Sequence, residues 1–281
     1  MEIKFFDDRV IVSGTDDFSA GKIFDCGQCF RWVRSPDGSW TGSALGRVLR
    51  LREEEGSVIF ECGKEEFLGV WHDYFDLGRD YAALRKRLSV SEYMERACGF
   101  GAGIRILRQD AWEALCTFII SQCNNIARIT GIVDRLCRIF GDEQEGGFCS
   151  FPGPERLCGL SERDLEPLRA GYRASYIISA ARSVASGALE LEALRSCDAE
   201  TAEAALTALP GVGRKVASCV MLFGLGHTEA FPVDTWMRRA LRDNFGPGFD
   251  PSVFGPDAGF AQQYIFYYSR WGRGGERYVC D

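Results

Sequence analysis

The hydrophobic rhythm of the chain changes about a third of the way along. Over the first hundred residues apolar and polar positions alternate as they do in strands, whose side chains point to opposite faces in turn. Between Val33 and Trp40, the segment Pro36-Asp37-Gly38 separates a Phe/Trp-rich strand from a Trp-Thr strand and predicts a turn. Arg47 to Arg52 and Ser57 to Cys62 predict a second hairpin, joined by Glu53-Glu54-Glu55-Gly56. From residue 101 the spacing becomes helical. Leu107, Ala111, Ala114, Leu115, Phe118 and Ile119 form one stripe, Ile129, Val133, Leu136 and Phe140 the next, and Tyr176, Ile177, Ala180, Ala181 and Val184 a third. The expected fold class is α+β: an N-terminal antiparallel β-rich domain over 1–100, packed on a mostly helical region over 101–281. No repeat or long linker interrupts it.

A chain of 281 residues can bury a sizeable core, and its mix of hydrophobic (46%) and charged (26%) residues is that of a globular protein. No apolar run reaches membrane-spanning length, and residues 1–8 carry no basic-then-apolar leader pattern. The twelve cysteines are scattered, several of them in apolar helical runs (Cys116, Cys137, Cys219), and read as reduced structural thiols in a cytoplasmic setting. Cys26 and Cys29 have clip spacing without a second clip. The two histidines, His72 and His227, are far apart, which disfavours a His-rich metal site or a His-based triad. The net charge of −7 counts against a nucleic-acid partner unless the basic residues gather on one face.

The chemistry is concentrated between Thr201 and Phe245. A short helix through Ala204, Ala205 and Ala208 runs into Leu209-Pro210-Gly211-Val212-Gly213, and a second helix follows from Arg214 to about Leu225, so a helix-hairpin-helix is expected over 201–225. Free amides at the start of the second helix suit an anion such as a phosphate. Lys215 sits in that first turn beside Arg214, where the helix dipole disfavours an ammonium and favours a neutral, nucleophilic amine. Nineteen positions on, Phe231-Pro232-Val233-Asp234-Thr235 places Asp234 to cap a helix from Trp236 to Phe245.

Leu209-Pro210-Gly211-Val212-Gly213-Arg214-Lys215 followed by Pro232-Val233-Asp234 resembles the signature of helix-hairpin-helix DNA glycosylases of base-excision repair. Cys26-Gly27-Gln28-Cys29-Phe30-Arg31-Trp32, Asn124-Asn125-Ile126-Ala127-Arg128, Gly171-Tyr172-Arg173 and Gly259 to Phe266 are similar to segments of 8-oxoguanine DNA glycosylases, in order along nearly the whole chain. The resemblance implies that Lys215 attacks the sugar C1′, forming a Schiff base with associated β-elimination, and that Asp234 is the essential carboxylate. It implies that the Gly27 carbonyl senses the lesion's N7 proton, that Gln262 reads the Watson–Crick edge, and that Phe266 and Cys219 stack on the flipped base. Gly211 and Gly213 are implied in phosphate contact, Tyr172 as the wedge, and Asn124, Asn125, Arg128 and Arg173 at the DNA gap and the opposing base. An arginine fork can engage adjacent acceptors of an opposing cytosine, so excision opposite cytosine is expected.

The implied partner is double-stranded DNA containing 8-oxoguanine, with no membrane. No metal or other cofactor is implied in the chemistry, and a monomer is expected. Two positions depart from the eukaryotic relatives: Cys123 replaces an Asn at the loop, leaving Gln122, Cys123 or Asn124 to fill the gap, and Trp236 replaces a histidine. The alternatives are a helix-hairpin-helix glycosylase of other lesion specificity and a non-catalytic hairpin module. Only Cys280 follows Asp234, too few thiols for an iron–sulfur cluster there.

Overall fold

A computed structural model describes residues 1–15 and 17–272; Cys280 lies outside them. The N-terminal alternation builds one antiparallel sheet from β1 (Glu2–Phe5), β2 (Val10–Ser13), β3 (Trp32–Arg34), β4 (Trp40–Ala44), β5 (Arg47–Glu54) and β6 (Ser57–Phe60), in the order β1-β2-β6-β5-β4-β3. The two expected hairpins are β3–β4 and β5–β6. Glu53 and Glu54, expected in the loop, instead extend β5, and Glu54 pairs with Ser57 so that only Glu55 and Gly56 turn the chain. Leu49 and Leu51 are buried, while Arg50 and Arg52 face outward into ion pairs with Asp37 and Glu61. The inner face joins Val10, Val12, Phe60, Trp71 and Phe75 in one core, each large side chain contributing roughly 1.5–3 kcal/mol on burial.

The β-rich stretch expected over 1–100 is shorter than its alternation suggests. Strands end at Phe60, and from Lys64 to Phe100 the elements are helical. The principal helices are α1 (Ala20–Asp25), α2 (Tyr81–Leu88), α3 (Glu92–Phe100), α4 (Ala111–Ile120), α5 (Ile126–Phe140), α6 (Arg173–Ala185), α7 (Ala199–Thr207), α8 (Arg214–Val220), α9 (Thr235–Phe245) and α10 (Ala258–Trp271). Tyr81, Leu84 and Leu88 of α2 and Met94, Ala97 and Cys98 of α3 belong to the helical core rather than to the sheet's. Both helices begin at side-chain caps: Asp80 accepts from the Ala83 amide and Ser91 from the Met94 amide. Each cap is worth on the order of 1 kcal/mol.

Helix α4 is the central strut, buried from Ala111 to Ile120 except at Glu113. Among the described residues no helix is long and apolar enough to cross a membrane, and all described cysteines are free. Cys26 packs in the helical core and Cys29 in the sheet core. Burial pushes the Cys26 thiol up to about 12 and Cys29 well above the usual thiol range. Neither is a reactive thiolate.

Candidate active site

The hairpin forms where its glycines predict. Helix α7 ends at Thr207, the turn runs through Gly211, and Gly213 N-caps α8 with an extended backbone. Gly211 has φ +78, and a Cβ there would lie 2.2 Å from the Tyr176 ring, so both its conformation and its packing require glycine. Gly213 has open space around it. The first intrahelical bond of α8 runs from the Ala217 amide to the Gly213 carbonyl at 3.0 Å, which leaves the earlier amides of the turn to outside partners.

Lys215 projects from the first turn of α8. Its Nζ donates to Ser121 Oγ at 3.2 Å and lies 5.6 Å from the centre of the Phe118 ring. Ser121 Oγ itself donates to the Phe118 carbonyl at 2.8 Å, which aims its lone pair at the lysine. The ring of Phe118 is stacked on Phe223, at 5.4 Å, from the π-helical turn Met221–Leu225 that extends α8. Among the described residues no carboxylate comes within ion-pair distance of Lys215, whose amine meets a hydroxyl, an aromatic face and the Cys219 thiol. Ser121 and Phe118 were not legible as site residues: Phe118 reads as a core position of α4, and Ser121 lies 94 residues from the lysine it holds.

Asp234 N-caps α9, its Oδ1 accepting from the Met237 amide at 2.7 Å. The cap fixes the carboxylate by one oxygen and leaves the other for chemistry. Cys219, one helical turn after Lys215, is buried. Burial holds its thiol up, the Lys215 ammonium draws it back, and the Asp234 carboxylate pushes it up again, so these three groups share one field. A neutral, polarizable thiol is a suitable apolar surface for a flat ring.

The loop from Cys26 to Phe30 joins the two cores and is pinned from four sides. Gln28 is fully buried and donates to the Ile23 and Arg105 carbonyls, at 3.0 and 2.8 Å, while its Oε1 accepts from the Leu107 amide at 2.9 Å. Gln109 Nε2 caps the Gln28 carbonyl at 2.8 Å, and Gln263 Nε2 caps the Cys26 carbonyl at 3.1 Å. The Gly27 carbonyl between them receives no hydrogen bond from any described residue. Gly27 has φ +85, and a Cβ built on it would sit 3.8 Å from Ile126 and 3.9 Å from the Phe266 ring. On α10, Gln262 lies one turn before Phe266. Gln262 is 6% exposed, yet its Oε1 has no partner. An orphaned buried acceptor costs on the order of 1–3 kcal/mol unless a ligand satisfies it. Gln28, Gln109 and Gln263 went unread as site residues, since each acts through carbonyls remote in sequence.

The loop leaving α4 and the start of α6 carry the other expected groups. Gln122 Nε2 turns back to the Ile119 carbonyl and Asn124 Nδ2 to the Ile120 carbonyl, both at 3.1 Å. Cys123 is exposed, with φ +45. Asn125 N-caps α5, accepting from the Arg128 amide at 2.9 Å. The Arg128 side chain is exposed and makes no ion pair with any described residue; Arg169, Arg238 and Arg239 are likewise exposed and unpaired. Tyr172 is 52% exposed and packs edge-on against Tyr176 at 5.8 Å. Arg173, expected at the opposing base, is 4% exposed, and its guanidinium donates to the carbonyls of Gln122, Cys123 and Ala170.

Among the described residues no group of three or more His, Cys, Asp or Glu is arranged to hold a metal ion.

Comparison with known proteins bears on the whole of this arrangement. Residues 10–115 match the family described as 8-oxoguanine DNA glycosylase, N-terminal domain, and residues 116–251 match the HhH-GPD superfamily of base excision DNA repair proteins. The N-glycosylase/DNA lyase OGG1 of Arabidopsis thaliana is 33% identical, over 86% of this chain and 75% of the relative. The Clostridium acetobutylicum 8-oxoguanine glycosylase/lyase in its apo-form superposes with a TM-score of 0.90 at 38% identity, over 95% of this chain and 98% of that one. The same enzyme in complex with double-stranded DNA containing cytosine opposite 8-oxoguanine gives 0.90 at 37% identity, over 96% and 98%.

Proposed function

This chain belongs to the 8-oxoguanine DNA glycosylases of the HhH-GPD superfamily, and we propose that it flips 8-oxoguanine from duplex DNA and excises it through Lys215. It is a bifunctional glycosylase and lyase. The observation that carries the residue assignment is a pair of unsatisfied acceptors: the free carbonyl of Gly27, a residue on which a Cβ would lie 3.9 Å from the Phe266 ring, and the orphaned Gln262 Oε1, one helical turn before Phe266. 8-Oxoguanine carries a proton on N7 that guanine lacks, so the Gly27 carbonyl gains a hydrogen bond with the lesion and meets a lone pair with guanine. That difference is worth roughly 1–3 kcal/mol.

With the base seated, the Lys215 amine forms a bond to C1′ as the glycosidic bond breaks and its electron pair leaves with the base. Loss of the amine proton and opening of the sugar give the Schiff base, from which β-elimination releases the 3′ strand. The free oxygen of Asp234 stabilises positive charge on the sugar as the bond breaks. Gly211 and Gly213 present hairpin amides to phosphate, and Asn124 and Asn125 shape the gap loop. With Gln122 and Asn124 turned inward, Cys123 is the side chain left to enter the gap. The exposed Arg169, Arg238 and Arg239 supply a phosphate-facing charge that the net charge conceals. We place the enzyme in a reducing cytoplasm, as a monomer.

Borohydride reduction on an 8-oxoguanine:cytosine duplex tests the reading. A covalent adduct is expected; its absence, with unmodified lesion recovered, would overturn it. Gln262→Ala is expected to lower single-turnover excision about 10- to 100-fold, the cost of one or two lost base contacts, with affinity for undamaged duplex retained. Equal losses on both DNAs would remove Gln262 from lesion reading. Arg128→Ala is expected to narrow the preference for cytosine over adenine opposite the lesion by about tenfold, the discrimination of one bidentate pair. Rates against all four opposing bases give the measurement, and an unchanged ratio would take Arg128 out of this role.

A further inference from the structure

We propose, resting on the excision reading above, that Gln263 is a positioning residue. It ties the base-reading helix α10 to the loop that carries the Gly27 carbonyl, and so sets the spacing across which 8-oxoguanine is told from guanine. Two glutamines stand side by side on α10, both buried, Gln262 at 6% exposure and Gln263 at 3%. Neighbouring positions on a helix point about 100° apart, so the two serve different faces. Gln262 shares a face with Phe266, one turn on, and keeps its unsatisfied Oε1. Gln263 shares a face with Tyr267, whose ring packs on Phe100 at 5.5 Å. The Gln263 Nε2 donates to the Cys26 carbonyl at 3.1 Å, one residue before the sensing glycine. Among the described residues no other hydrogen bond joins α10 to the loop over 26–30.

The site needs such a link. Two groups that read one flat ring from separate segments must keep their spacing to within about 0.5 Å. Here the groups come from opposite ends of the chain, Gly27 from a loop near the start and Gln262 from the last described helix. Gly27 has φ +85, and a Cβ built on it would find nothing closer than 3.8 Å, so side-chain packing does not hold the backbone at this point. The other tethers of the loop run elsewhere. Gln28 reaches the Ile23 and Arg105 carbonyls and the Leu107 amide, and Gln109 reaches the Gln28 carbonyl. They fasten the loop to α1 and to the segment leading into α4, and leave its distance from α10 open. Gln263 closes that gap while the residue beside it faces the base. Without the link, loop and helix move independently. The lesion then satisfies one of its two readers at a time, and its margin over guanine shrinks.

Gln263→Met removes the donor and keeps a long, unbranched side chain for the core. Single-turnover excision of 8-oxoguanine opposite cytosine is expected to fall about tenfold, as for reacting groups slightly misplaced. Borohydride trapping on a duplex with a preformed abasic site, where no base is read, is expected to keep its wild-type rate. In a Gln262→Ala background the same substitution is expected to cost only about twofold, because a span that has lost one end no longer needs setting. Equal losses on the two substrates would overturn the proposal by making Gln263 a residue of the fold alone. Unchanged excision, or a full tenfold loss in the Gln262→Ala background, would overturn it as well. Should Gln263→Met lose its cooperative melt, Gln263→Asn is put through the same assays: it keeps a buried amide and ends short of the Cys26 carbonyl. Collapse of both variants counts against the proposal in the same way as equal losses. Failure of the wild type itself to excise 8-oxoguanine would sink the excision reading, whereas a wild type that excises beside an unaffected Gln263→Met sinks the link alone.

Discussion

Lys215→Gln is expected to abolish the borohydride-trapped adduct and to lower excision on the order of 10³-fold or more, because no other amine replaces the nucleophile. The variant should fold. Glutamine keeps a side-chain N–H donor in place of the amine that meets Ser121 Oγ and the Phe118 ring, and its position in the first turn of α8 is partly exposed. Lesion-bearing DNA should therefore still bind at wild-type strength, since Gly27, Gln262, Phe266 and the hairpin amides are untouched. Gel shift against 8-oxoguanine duplex, alongside trapping, separates the two effects. An adduct that survives would assign the chemistry to a different amine, and lost binding with lost trapping would point to a distorted hairpin.

The second large effect is expected at Asp234, where one side chain serves the fold and the reaction through different oxygens. Asp234→Asn should lower single-turnover excision about 10²- to 10³-fold, the usual loss when a preorganised charge at a developing cation is removed. Asparagine caps helices as well as aspartate does, so the bond to the Met237 amide is kept. Loss of the charge at the N-terminus of α9 should cost only about 0.3–1 kcal/mol. Asp234→Ala should lose the rate and, in addition, roughly 1 kcal/mol for the cap. Thermal melting of the two variants beside their rates makes the separation. Excision by Asp234→Asn close to wild type would reduce the residue to a helix cap.

Much of the site was legible because its parts are local. Gly211 and Gly213, Lys215, and the capping Asp234 announce themselves through turn and first-turn geometry, which depends on residues a few positions apart. The helices after residue 101 followed from periods of three and four, and the hairpins around Asp37 and Gly56 from the alternation and turn chemistry beside them. The stretch from Lys64 to Phe100 was misread. Its helices are short, and its cap signals, Asp80 and Ser91, were outweighed by the preceding alternation.

What only the tertiary structure decided are the contacts between segments distant in the chain. Ser121 meets Lys215 across 94 residues, Gln263 caps Cys26 across 237, and Arg173 closes on Gln122 across 51. Sequence could suggest Arg173 at the opposing base because an arginine beside an exposed tyrosine is a reasonable DNA contact. It could not show which backbone carbonyls the guanidinium meets in the folded chain. A side chain's local pattern states what it is able to bond, whereas its actual partner is set by which backbone carbonyls the packed helices bring within about 3 Å.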